Sequence, residues 1–341
     1  MYQNELKPGK LLDVYGNLSQ AGYAKSLVKE YNRNDIKANK LRIKEWDYYY
    51  IGNNNYGIAL TIADNSYMGL GSVSILDFKA QKFITKSSMT FMPQGKTNMP
   101  SSSKEGNVYF NTSKLELSFE KNNNKRFLKG VFRKYNKGID LHISIELFDE
   151  PEESMVIATL FEKKHHFYYN QKINCMRARG KATLGGKTYS FFPEESFAVL
   201  DWGRGVWTYK NTWYWSSMSG IKDGKKIGFN LGYGFGNTDK ATENMLFFDG
   251  KAYKIEAVTF HIPRIGNKYD YLSPWKFSSN DGTVNLTFTP ILNRKDYTNI
   301  LVIKSLQDQV FGKFSGYIMI NDKKYEIEDL VGFAERVTNY W

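Results

Sequence analysis

The chain is 341 residues long, 41% hydrophobic and 16% aromatic, with a formal net charge of +12. Its length suits two domains of roughly 150 residues each, and its hydrophobic content is enough to fill two cores. A single cysteine, Cys175, excludes an intrachain disulfide, and no run reaches the roughly 18 apolar residues that a transmembrane helix needs.

The 24 Tyr and 23 Phe favour strands, because flat rings pack well on pleated, half-buried surfaces. An all-β or nearly all-β protein is expected. The basic balance admits a polyanionic partner, but the positive charge is mostly Lys spread singly across turns (Lys121, Lys125, Lys222, Lys225, Lys226, Lys323, Lys324), with no Arg-rich run. That pattern suits a soluble sheet surface with protected edges. No specific nucleic acid is expected, transient contact with a membrane surface stays open, and the oligomeric state is not legible. The first residues, MYQNELKPGKLLDVYG, contain no apolar signal core, so a cytoplasmic protein is the expectation.

Residues 1–40 are polar and irregular, broken by Pro8, Gly9, Gly16 and Gly22, with LSQAGYAKSLV (18–28) hinting at a short helix. They read as a segment that wraps a domain. From Leu41 a period-2 pattern starts: LRIKEWDYYYI, YGIALTIAD and YMGLGSVSILDF form a meander. KFITKSSMTFM leads into PQGKTNMPSSSKEG (93–106), which has no periodicity and reads as a mobile flap over a cavity or as a plain surface loop. Strands resume as NVYF, KLELSFE, RFLKGVFRKY, IDLHISIELF and SMVIATLFE, at the hairpin spacing of a closed barrel or sandwich. The second half repeats this grammar without sequence repetition, and no amphipathic helix longer than about ten residues is evident. The boundaries expected are 1–40 for the wrapping segment, 41–165 for the first β domain and 166–341 for the second.

The densest stretch runs from Asp201 to Asn244 and holds four of the seven Trp. In NTWYWSSMSG, Trp213, Trp215 and Ser217 share one strand face, while Tyr214, Ser216 and Met218 share the other. Large rings beside small Ser suit a cavity wall and equally a packed core. In GFNLGYGFG the glycines alternate with Phe229, Leu231, Tyr233 and Phe235, so one face is nearly bare and open to another backbone or a ligand. Arg204, between two glycines, could clamp a ligand carboxylate with its planar fork, or stack on Trp202 or Trp207 and pair internally. The four His and one Cys lack zinc spacing, and no dinucleotide fingerprint, P-loop or nucleophile elbow occurs. No metal or cofactor is expected. Asp64 reads as a turn former at a strand end.

ELKPGKLLDVYGNLSQAGYAK, LRIKEWDYYYI, ALTIADNSYMG, DWGRGVW with the following WYW, TEN at 242–244 and GFAERVTNYW together resemble the bacterial family catalogued as domain of unknown function 2804. The resemblance spans nearly the whole chain in the same order. It implies a tandem of two lipocalin-like (calycin) β-barrels, similar to carotenoid 1,2-hydratases, tocopherol cyclases and lipocalin-fold Diels-Alderases. It further implies a large apolar ligand in or between the barrels, and a carboxylic acid plus aromatics that adds or redirects a proton at an alkene. Where the hydratases carry His and Asn near a Trp, this chain has Asp201, Arg204 and Trp207, so their reaction does not transfer.

Such chemistry needs a carboxylic acid kept protonated by apolar surroundings and ring faces that stabilise a cation. Asp201 and Glu243 are the candidate acids. Trp202, Trp207, Trp213, Trp215 and Tyr233 supply candidate ring faces, with Arg204, Asn230 and Asn244 as further ligand contacts. The competing structural reading has Asp201 capping a turn and Glu243 bridging to Arg204. The function expected is binding of an apolar or amphipathic small molecule, with cofactor-independent lyase, hydratase or isomerase activity. A passive lipid or metabolite carrier and a basic surface that binds a polyanion are the alternatives. Barrel interiors filled by side chains, with no cavity near Arg204, would sink both small-molecule readings.

Overall fold

Period-2 patterning turns the chain into two curled antiparallel sheets, each a half-barrel around its own core. The computed structural model describes residues 3–300 and 303–340. The first sheet has 13 strands; its path begins Lys82–Phe91, Met68–Asp77, Tyr56–Asp64, Lys44–Gly52, Phe197–Val206 and Phe167–Leu184. It ends on Asn107–Asn111. The second has nine, with Lys225–Tyr233, Lys210–Lys222, Lys323–Tyr340, Ile303–Ile320 and Val284–Ile300 at its centre. Two short 3-10 turns, Arg33–Asp35 and Lys40–Arg42, are the helical elements among the described residues, and none is long and apolar enough to cross a membrane.

Three expectations change. The stretch 18–28 is no helix: Gly22–Ala24 is a strand that pairs with Met155–Leu160, because a tertiary partner outweighs weak local propensity. The change of sheet falls between Val206 and Lys210, well after residue 165, since Phe167–Leu184 and Phe197–Val206 complete the first sheet. The aperiodic stretch 93–106 is neither flap nor loose loop. It packs Met99 and Ser103 into the first unit, while the N–H of Gly95 donates to Asp64 and the carbonyl of Ser103 accepts from Arg126.

Residues 3–40 lie against the first core through Leu6, Leu11, Leu12, Tyr31 and Ile36, each buried. Gln3 also reaches the second unit by accepting from the Thr242 N–H. Both interiors are occupied by side chains, with Trp202, Tyr135 and Tyr169 among the fully buried ones in the first, and Trp275, Phe277 and Phe288 in the second. Burial of each such ring contributes roughly 1.5–3 kcal/mol.

Two further apolar clusters lie between the sheets. One joins Tyr48, Tyr50 and Val199 of the first sheet to Trp215, Phe311 and Phe333 of the second. The other joins Tyr168, Cys175 and Trp207 to Phe235, Met245 and Phe247. The half-barrels therefore pack back to back through their convex faces.

Candidate functional site

Strand register places a row of polar groups on each of the two facing surfaces. On the second sheet Arg294 lies opposite Gln309, Gln309 opposite Glu335, Glu335 opposite Trp215, and Trp215 opposite Gly232. Directly opposed residues share a face, so this is one continuous stripe. On the first sheet Tyr48 lies opposite Asp201, and Asp201 opposite Lys172. The stripes meet: the Lys172 ammonium sits 4.3 Å from the centre of the Trp215 ring, and the Tyr48 hydroxyl contacts the Gln309 amide at 3.3 Å.

Three carboxylates and one ammonium occupy this layer. Lys172 Nζ is 2.8 Å from Asp201 Oδ1, which also accepts from Asn170 Nδ2 at 2.6 Å. Glu335 is 4% exposed and accepts from Trp213 Nε1 and Gln309 Nε2, each at 2.9 Å. Burial pushes its carboxyl up to about 7, opposed by the Trp213 hydrogen bond and the positive charges of Arg294 and Lys172. Burial also raises Glu243, against the pull of Lys172. The buried Tyr168 phenol is raised by burial, and the charges of Asp201, Glu243 and Glu335 each push in the same direction. Behind Glu243, Lys254 is lowered to about 7 by burial and donates to Thr242 Oγ1 and two carbonyls.

Rings enclose the cluster. Trp46 stacks on Tyr168 at 5.8 Å and meets Trp207 edge-on at 5.1 Å, and Phe235 touches both Trp207 and Trp213. Trp46 and Trp213 are half-buried, so the layer reaches solvent beside them. Gly203 makes the approach of Trp46 possible, since a Cβ there would sit 2.2 Å from the indole. Gly232 does the same for Glu243, whose Oε1 would lie 2.8 Å from an added Cβ. The bare face seen in the sequence is thus filled by a carboxylate. Asn170 Oδ1, Asn174 Oδ1 and the Tyr50 hydroxyl are buried here without a hydrogen-bond partner. A cavity of about 20 Å³ lies beside Tyr50, Val199 and Ser217, large enough for one water.

The ten residues singled out from the sequence separate into three places. Asp201, Trp207, Trp213, Trp215, Asn230 and Glu243 belong to the inter-sheet layer, where Asn230 accepts from Trp215 Nε1 at 2.7 Å and donates to the Glu243 carbonyl. Trp202 and Arg204 point the opposite way, into the first half-barrel. Arg204 is fully buried, 3.0 Å from Asp47 Oδ1, donates to the carbonyls of Pro100, Trp46 and Gly203, and stacks on Trp202 at 4.2 Å. Its partners are Asp47 and, at 3.9 Å, Glu45; the bridge to Glu243 does not form because the sheet lies between them. Asp201 caps no turn, as it sits mid-strand. Tyr233 stacks on Tyr214 at 4.6 Å inside the second half-barrel. Asn244 accepts from the Gly232 N–H and donates to the Glu256 carbonyl, fixing the backbone beside Glu243.

Near Arg204, a cavity lined by Asp47, Pro100 and Arg126 measures only about 10 Å³. The interior around Arg204 is therefore filled largely by the protein groups that bond and stack on it. Among the described residues no group of three or more His, Cys, Asp or Glu could hold a metal ion.

Sequence reasoning missed Glu335, Lys172, Gln309, Tyr48, Trp46 and Arg294. The first left a readable trace: in VGFAERV, Val331, Phe333, Glu335 and Val337 share a face, and an acid on an otherwise apolar face is the signature of a buried carboxylate.

This architecture defines a two-domain, lipocalin-like β protein. The chain belongs to the family described as domain of unknown function (DUF2804), whose model matches residues 3–341. No curated protein matches it in sequence. Among solved structures, a protein provisionally named AttH from Nitrosomonas europaea aligns with TM-score 0.55 at 12% identity, over 92% of this chain and 97% of that one. Kievitone hydratase from Nectria haematococca aligns with TM-score 0.45 at 12% identity, over 98% and 97%. CghA aligns with TM-score 0.43 at 10% identity, over 97% of each chain. At 12% identity the likeness to the first of these is one of fold.

Proposed function

We propose that the chain takes up an apolar or amphipathic small molecule between its two sheets and that a protonated carboxyl there transfers a proton to it, as a cofactor-independent lyase, hydratase or isomerase. The observation that carries this reading is Glu335, a buried carboxyl held near neutral pH among Trp213, Trp215 and Tyr48. A carboxylic acid whose ionisation is suppressed keeps its proton at pH 7 and can deliver it, while electron-rich faces stabilise the cation formed. Glu243, raised in the same direction, is the second acid, and Lys172 with Asp201 supplies a fixed ion pair that orients charge in the layer. Cavities of about 20 and 10 Å³ admit water alone, so a ligand enters by displacing side chains at the half-buried Trp46 and Trp213.

The test uses the ligand that co-purifies with the protein, extracted and identified by mass spectrometry. Incubated in D₂O with the wild type, it gains deuterium at carbon; with Glu335→Gln it binds but gains none. Equal deuterium gain in both rejects Glu335 as the acid, binding with no gain in the wild type makes the protein a carrier, and a consistently empty protein rejects the ligand reading.

A further inference from the structure

Arg294 is the guanidinium that the inter-sheet layer leaves without a carboxylate. It lies on Val284–Ile300, on the same convex stripe as Gln309, Glu335 and Trp215. Its side chain crosses to the first sheet, where Nη1 donates to Ser74 Oγ at 2.8 Å. No ion pair involving Arg294 forms among the described residues, whereas Arg204 and Arg126, the two most buried arginines, each have a carboxylate within 3.1 Å. Arg294 is half-buried, at the edge of the layer, and its charge acts on Tyr48, Tyr50 and Glu335 alike.

A half-buried guanidinium with only a serine hydroxyl bonded to it has the donors for an incoming oxyanion, a planar fork of N–H groups. Glu335 cannot satisfy it, because Gln309 stands between them and the Glu335 oxygens are taken by Trp213 and Gln309. Two strand spacings separate Arg294 from Glu335, on the order of 10 Å between backbones. An anionic head group on Arg294 therefore leaves the body of a ligand lying along the stripe toward Glu335 and the Trp215 face.

We infer that the ligand of the inter-sheet site is an amphipathic carboxylic acid, with its carboxylate bound by Arg294 at the rim and its apolar body between the sheets. This rests on the reading that the layer is a ligand site, and it replaces Arg204 by Arg294 as the head-group residue. Recognition is then polarised, with charge at the solvent edge and the reacting part of the molecule buried beside the acid.

Decanoate and 1-decanol serve as probes, titrated against wild type and Arg294→Gln with tryptophan emission as readout. The wild type is expected to bind decanoate at least about tenfold more tightly than decanol, the worth of one charge-assisted contact. Arg294→Gln should lose that preference while its affinity for decanol stays the same, and an unchanged melting temperature shows that the fold is intact. Should the variant melt lower, Arg294→Lys takes its place: it keeps the charge and loses the fork, and an intermediate preference is expected. Decanoate preference surviving unreduced in these variants overturns the Arg294 assignment while leaving the site in place. Failure of the wild type to bind either probe overturns the site reading itself.

Discussion

At the scale of single residues, the layer between the sheets is defined by which charges have partners. Arg204 fills its hydrogen bonds inside the first half-barrel and holds Asp47 and Glu45 there, a pairing whose loss typically costs about 3–5 kcal/mol. Glu335 has hydrogen bonds but no cation in contact, so burial dominates and lifts its carboxyl from the ordinary 4.5 to about 7. The folded protein therefore keeps this proton over a range in which the unfolded chain has lost it. Stability from this group is full below about 4.5 and declines as pH rises through about 7, by up to about 3 kcal/mol. Lys254, lowered to about 7, contributes an opposite slope only above that pH and cancels when variant and wild type are compared. Urea unfolding should show Glu335→Gln losing less stability than the wild type between pH 5 and pH 8, and exceeding it at pH 8. Parallel pH profiles would show that Glu335 ionises normally.

At the scale of elements, two glycines shape the site by what they omit. Gly203 in Phe197–Val206 lies under the Trp46 indole, and a Cβ would sit 2.2 Å from it. Gly203→Ala should displace Trp46 from its stack on Tyr168 and cost about 1–3 kcal/mol, read as a lower urea midpoint together with a shift in tryptophan emission. A wild-type midpoint would mean the ring moves aside freely. Element patterning was largely legible in the sequence, because period-2 alternation sorted Trp213 and Trp215 from Tyr214 and Met218, and the facing clusters keep that division. The pairing of Glu243 with Arg204 was not legible as wrong. Alternation within one strand says which residues share a face, but not which face of the sheet meets the partner sheet. Arg204 and Asp201 are three residues apart and so point to opposite sides. Likewise Lys172, Glu335 and Arg294 lie on strands far apart in sequence, and only the register between strands brings them into line.

At the scale of the whole molecule, the interiors of the two half-barrels are packed aromatic cores, and further apolar clusters fill the surface where they meet. Lys44–Gly52 illustrates the division of labour: Glu45, Asp47, Tyr49 and Ile51 face the first core, while Trp46, Tyr48 and Tyr50 face the second sheet. On the proposed reading, a site assembled from both sheets is sensitive to how they separate, with the half-buried Trp46, Trp213 and Arg294 at its rim. The measurement that tests this most directly is photolabelling with a diazirine-bearing decanoate analogue, followed by peptide mapping. Saturable labelling within Lys44–Gly52 and Lys210–Lys222, on Tyr48, Trp213 or Trp215 and competed by decanoate, is the result expected. Labelling concentrated on Trp202 or on Trp275, inside the half-barrels, or none that saturates, would contradict a ligand site between the sheets.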